Sequence, residues 1–143
     1  MEQRHVTTFQ LDVRLNADTL PVAELALCSL RLMNDERWPW LILVPRIAGA
    51  SEVHDLSHAD QMQLAAETAL VAKLLKTATN AEKINSAAIG NIVRQLHVHV
   101  IARSHGDANW PGPVWGFGTK ILYNADEAER LIATIQKQIE SVT

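Results

Sequence analysis

The order of periodicities along the chain predicts an α+β fold, with helices packed on an antiparallel sheet. Three observations carry this. Apolar runs of strand length occur early in the chain and again past its middle. A long stretch between them and another at the end repeat apolar residues at helical spacing. No internal repeat, low-complexity tract or linker interrupts the 143 residues, so one domain covering 1–143 is expected. Strands, helix, strands, helix is the order of an α+β domain.

Each element has a local reason. Residues 8–14 (TFQLDVR) read as a short segment or strand. Glu24 to Met33 (ELALCSLRLM) is an apolar strand, "NDERWP" is a turn punctuated by Asn34, Asp35 and Pro39, and Trp40 to Val44 is the next strand, stopped by Pro45. Together they predict a hairpin. In "SHADQMQLAAETALVAKLLKTAT" the period becomes helical, with a stripe through Met62, Leu64 or Ala65, Ala69, Ala72 and Leu75 or Lys76. Ser57 offers the N-cap, Asp60 stands three residues on, and the helix should end near Thr77 to Asn80. Lys83 to Ile89 is a strand, Gly90-Asn91 a turn or bulge, and Ile92 to Arg103 a further strand. The last helix runs over about 124–142, capped by Asn124, with Leu131, Ile132, Ile135 and Ile139 as its buried stripe.

Composition narrows the function. A formal charge of −3 argues against a dedicated nucleic-acid binder. Cys28 is the single cysteine, which excludes an intrachain disulfide and a thiolate metal cluster. No apolar run approaches the roughly 20 residues that span a bilayer, and MEQRHVTTFQLD lacks the apolar core of a signal peptide. These features predict a soluble protein of a reducing compartment, the cytoplasm, with no membrane partner.

The chemistry concentrates in "NIVRQLHVHVIARSHGDANWPGPVWG", residues 91–116. Polar and apolar residues alternate from Gln95 to Val100, so in a strand Gln95, His97 and His99 share one face and Leu96, Val98 and Val100 enter a core on the other. Three uses of such a face are open. It can be a wet sheet face that happens to carry histidine. It can hold a metal, although a zinc site needs three or four ligands and neither His5, His54, His58 nor His105 stands at ligand spacing. It can also be nucleophilic: a neutral imidazole attacks phosphorus when one ring nitrogen is free and a hydrogen bond to the other sets the tautomer.

The ordered set of motifs resembles the histidine triad (HIT) family of nucleotide hydrolases and transferases. The family signature is His-φ-His-φ-His-φ-φ, with φ apolar, and Gln95-Leu96-His97-Val98-His99-Val100-Ile101 matches six of its seven positions. Gly90-Asn91-Ile92-Val93 is similar to the upstream Gly-Gln-Ser/Thr-Val. Trp110-Pro111-Gly112 is similar to the Trp-Pro segment of the Hint branch. "LMNDERWPWLILVPR" (32–46) and "EVHDLSHADQ" (52–61) resemble the family's strand-turn-strand and the start of its central helix. The motif-bearing core therefore covers about 24–116.

The resemblance implies a HIT-like fold, a sheet of about five antiparallel strands with one central and one C-terminal helix. It implies attack on a nucleotide α-phosphate through a covalent nucleotidyl-His97. Dinucleoside polyphosphates or nucleoside phosphoramidates would be the substrates, with no cofactor and no metal. His99 would help hold the α-phosphate and the leaving side, Asn34 would lie near the ribose, Asn91 at the phosphate, and Trp110 would close the pocket. Trp38, Trp40 and Trp115 are expected to pack. Gln95 stands where the family has its first histidine, and Ile92 where many members have a phosphate-binding Ser or Thr. That first position acts largely through its backbone carbonyl, which glutamine keeps, so truncating the Gln95 side chain should cost little. A homodimer is expected, since two nearly all-apolar strands and the loop Asp107 to Gly118 offer surface for a second copy to cover. The competing classes are a nucleotide-binding or partner-binding module without turnover, and a metal-dependent H-x-H hydrolase. Retention of nucleotide without transfer would mark the first, sensitivity to chelators the second.

Overall fold

The structure, a computed structural model, describes residues 8–142. Residues 1–7, which include His5 and seven of the twelve residues read for a leader, lie outside the described residues, as does 143. Five strands form one antiparallel sheet in the order β1-β2-β3-β5-β4: β1 Thr19–Glu24, β2 Cys28–Met33, β3 Trp40–Pro45, β4 Lys83–Ala87 and β5 Val98–Arg103. Three helices accompany it, α1 Val13–Asp18, α2 His58–Thr79 and α3 Ala125–Val142. The α+β class and the antiparallel sheet are as the sequence predicts.

The predicted hairpin is the β2–β3 pair, with Leu30 opposite Leu43 and Leu32 opposite Leu41. Both strands lie inside the sheet and are covered on both faces, which explains why β3 is apolar throughout and why β2 is apolar but for Ser29 and Arg31. Their apolarity therefore needs no second copy. The long strand expected from Glu24 breaks instead at residues 25–27, and β1 precedes it. Pro21 had masked β1 as a strand. It is tolerated because β1 is an edge, and the register slips by one residue between Pro21 and Ala23. The segment 8–14 is not a strand: Val13 opens α1, capped by Asp12, whose side chain accepts from the Arg14 amide at 2.8 Å.

The helix ends follow their caps. Ser57 accepts from the Asp60 amide at 3.1 Å, and Asn80 closes α2 in the left-handed region at φ 53°. Asn124 accepts from the Asp126 amide at 2.9 Å at the start of α3. The buried side of α2 differs from the predicted stripe. It runs through Leu64, Glu67, Val71, Leu74 and Leu75, while Met62 is 63% exposed. The helix is alanine-rich almost all round, so spacing alone does not phase it. Glu67 turns inward because it has work there: its carboxylate accepts from the Leu27 and Cys28 amides, each at 2.9 Å, and so closes the β1–β2 turn.

The sheet has two unlike faces. Leu30, Leu32, Leu41, Leu43, Val98 and Val100 pack with the buried residues of α2 and α3. On the other face Trp38, Trp40, Ile42, Val44 and Ile101 pack with Leu15 of α1 and Val114 of the loop after β5. Residues alternate between the two along β5, as a strand requires: Val98, Val100 and Ala102 face the helices, and His99, Ile101 and Arg103 face the tryptophan loop. No helix among the described residues is long and apolar enough to cross a membrane.

Candidate active site

The strand that bears the histidines is shorter than expected. Residues 88–97 are irregular and β5 begins at Val98, so His97 stands at its entrance and Gln95 two residues before His97. Gly90 starts this irregular run with a close approach, since a Cβ there would meet the Val93 carbonyl oxygen at 2.8 Å. Leu96, Val98 and Val100 enter the helix-side core as predicted. His97 and His99 are 6% and 5% exposed, which removes the reading of a wet sheet face. Their ring centroids lie 4.8 Å apart.

Hydrogen bonds assign each tautomer. His97 Nδ1 lies 2.7 Å from the Gln95 carbonyl oxygen. A carbonyl can only accept, so Nδ1 carries the proton and Nε2 keeps its lone pair. At His99 the logic reverses. The Trp40 indole N–H, which can only donate, reaches His99 Nδ1 at 3.0 Å. The His99 proton therefore sits on Nε2, and that atom is buried with no hydrogen-bond partner. Burial, reinforced by the neighbouring His97, lowers the His99 pKa from an ordinary 6.5 to about 4; an approach to the Ile89 backbone, outside ordinary hydrogen-bond geometry, acts the other way. His99 is neutral at pH 7 and offers an N–H.

Both histidines line a cavity of about 320 Å³, walled also by Met33, Trp40, Ile42 and Trp115, by Ile89, Asn91, Ile92 and Val93, and by α1. Three buried side-chain polar atoms have no partner among the described residues, and two of them, His99 Nε2 and Trp115 Nε1, belong to residues that line this cavity. Two unspent N–H donors beside an imidazole with a free lone pair suit an anionic oxygen ligand. Among the described residues no group of three or more His, Cys, Asp or Glu is placed to hold a metal ion.

The other sequence-predicted residues divide. Asn91 is exposed and lines this cavity. Asn34 does not: its side chain accepts from the Tyr123 amide at 2.9 Å and borders a separate hollow near α3, because strand alternation turns Met33 toward the cavity in its place. Trp110 is not in the lining either, and rests against His105 and the Arg103 guanidinium. The residue of that loop in the lining is Trp115, whose ring lies 5.4 Å from that of His99. Trp40 and Trp115, read as packing residues, thus do more than pack. The available signal was the indole N–H, which when buried needs a partner or leaves a donor to spare.

The loop that carries Trp115 is held by its own chain. Arg103, 1% exposed, donates to Asp107 at 2.7 and 2.8 Å and to the Gly112 carbonyl at 2.8 Å. Burial would raise the Asp107 pKa, but the Arg103 guanidinium and the Ser104 amide hold it below the usual carboxylate range. Val114 is buried, and Phe117 meets Trp38 edge to face. Of the loop's apolar side chains Val114 is spent within the chain, while Phe117 stays 41% exposed.

This fold and site define a histidine triad protein. The HIT domain signature matches residues 14–106, and the chain belongs to the HIT family. It is similar to a histidine triad protein from Sinorhizobium meliloti 1021, at 58% identity over 92% of this chain and 97% of that one, with a TM-score of 0.90. Histidine triad proteins from Bradyrhizobium japonicum and Marinobacter aquaeolei VT8 are 41% and 40% identical. They cover 93% and 96% of this chain, and 99% and 100% of their own, with TM-scores of 0.91 and 0.92. No curated protein matches the sequence.

Proposed function

We propose that the chain is a nucleotide hydrolase or transferase of the Hint/Fhit-like kind, acting at a nucleotide α-phosphate through His97. One observation carries this: His97, with Nδ1 tied to a carbonyl and Nε2 free, shares a cavity with two buried N–H donors that lack partners. His97 Nε2 attacks phosphorus, the bond to the leaving group breaks, and a nucleotidyl-imidazolium forms. The Gln95 carbonyl still holds the Nδ1 proton and so stabilises the positive ring. His99 Nε2–H and Trp115 Nε1–H donate to the phosphoryl oxygens as charge builds. Water or another acceptor then displaces His97, which returns neutral. The apolar wall of Met33, Ile42 and Ile92 suits a base and sugar; dinucleoside polyphosphates and nucleoside phosphoramidates both present the required α-phosphate.

Turnover of a small panel of these nucleotides, read as release of mononucleotide, tests the reading. Wild-type protein should cleave at least one, and folded His97→Ala should lose at least about a thousandfold. Near-wild-type turnover by folded His97→Ala would sink it.

The homodimer is part of this proposal. Of the two sheet edges, β1 is blunted by Pro21 and its register slip, which leaves β4 as the edge a second copy would extend. Light scattering at micromolar concentration should give twice the chain mass; a fully active monomer removes the dimer from the account.

A further inference from the structure

Gln95 commits both ends of its side-chain amide to one stretch of backbone. Oε1 accepts from the Asp12 amide at 2.8 Å, and Nε2 donates to the Gln10 carbonyl at 2.8 Å. These two groups flank residue 11, so a single planar amide closes on the chain as a neighbouring strand would. The Gln95 backbone carbonyl meanwhile accepts from His97 Nδ1. One residue thus joins the candidate nucleophile to a segment more than eighty positions earlier.

That segment builds the cavity. Asp12 caps α1 through the Arg14 and Leu15 amides, and α1 brings Arg14, Leu15 and Asp18 to the lining. A six-residue helix has no stability of its own, so tertiary contacts must place it. Leu15, 4% exposed against Trp40 and Ile42, pins its middle. Gln95 pins the chain that enters it. A histidine could not do the same, since its ring nitrogens diverge at a wide angle and can hold only one of the two backbone groups.

We propose that Gln95 is a positioning residue with two separable parts: its carbonyl orients His97, and its side-chain amide holds residues 10–12 so that α1 walls the nucleotide cavity. The side chain then governs substrate binding rather than the chemical step. This differs from the expectation that truncating it costs little. The kinetic part rests on the function proposed above; the structural part does not.

The experiment compares wild type with Gln95→Ala, Gln95→His and the isosteric Gln95→Glu, which keeps the acceptor but sets a carboxylate against the Gln10 carbonyl. Amide hydrogen exchange without nucleotide should show residues 12–18 exchanging at least about tenfold faster in all three, with the α2 amides unchanged, as local rather than global opening predicts. With adenosine 5′-phosphoramidate as substrate, KM should rise about tenfold, the effect of losing two ordinary hydrogen bonds, while kcat falls less than about threefold. Unchanged exchange over 12–18 in the folded variants overturns the proposal, and so does a fall in kcat with KM unmoved. If wild type cleaves no nucleotide, the function fails and the exchange comparison alone decides the clamp. If Gln95→Ala does not fold, Gln95→Glu carries the same comparison.

Discussion

The two faces of the sheet are built from different chemistry. Toward α2 and α3 the strands present Leu30, Leu32, Leu41, Leu43, Val98 and Val100, and the buried charge there is Glu67, whose carboxylate is satisfied by backbone amides and Gln63. Toward the tryptophan loop the same strands present Arg31, His99 and Arg103, each polar and each buried, together with the indole N–H of Trp40. The first face gains most of its stability from apolar area. The second closes with fewer aliphatic contacts and relies on directional bonds: Trp40 to His99, Arg103 to Asp107, Gln95 to residues 10 and 12. A fold can keep one face for cohesion and leave the other to be shaped polar group by polar group.

Perturbing each face should then give different signatures. Leu43→Ala empties a fully buried site between sheet and helices and should cost about 4 kcal/mol in denaturant unfolding. His97 and His99 keep their bonds, so KM should hold wherever the variant is folded. Arg103→Met should cost about 3 kcal/mol, because it takes the cation from the Asp107 carboxylate and the donor from the Gly112 carbonyl. It should also lower activity, because the loop that carries Trp115 loses its staple. Unchanged activity in folded Arg103→Met would show that Trp115 does not depend on that staple.

Acid sharpens the comparison further. The His99 pKa is lowered in the folded state, so between pH 6.5 and about 4 the unfolded chain takes up a proton that the native chain refuses. Stability from this group is complete above pH 6.5 and is lost as pH falls toward 4, by roughly 2–3 kcal/mol at pH 4.5. Denaturant unfolding of wild type and His99→Gln at pH 7 and 4.5 isolates it, with the smaller acid loss expected in the variant. The least effect belongs to Glu67→Gln, which keeps an acceptor for one of the Leu27 and Cys28 amides and should cost about 1 kcal/mol, with activity intact.

The cohesive face was the legible one. The β2–β3 hairpin, both long helices, their caps at Ser57 and Asn124, and the inward turn of Leu96, Val98 and Val100 follow from period and cap chemistry. Departures arose where tertiary context overrides local pattern: Pro21 at a sheet edge, Glu67 inside α2, the irregular run 88–97 where alternation had suggested strand. On the site face, His97, His99 and Asn91 were legible as a cluster because they lie close in sequence. Trp40, Trp115 and Arg14 were not, because three distant segments bring them to the cavity. Asn34 and Trp110 stand outside the cavity lining, one strand step from Met33 and five loop residues from Trp115.

The nucleophile is the central claim, and mass spectrometry addresses it without steady-state assumptions. Wild-type protein mixed with excess adenosine 5′-phosphoramidate and quenched within a turnover should gain the mass of one adenylyl group, mapped to His97 and absent in His97→Ala. An adduct on another residue, or cleavage with no adduct at any quench time, would contradict attack by His97.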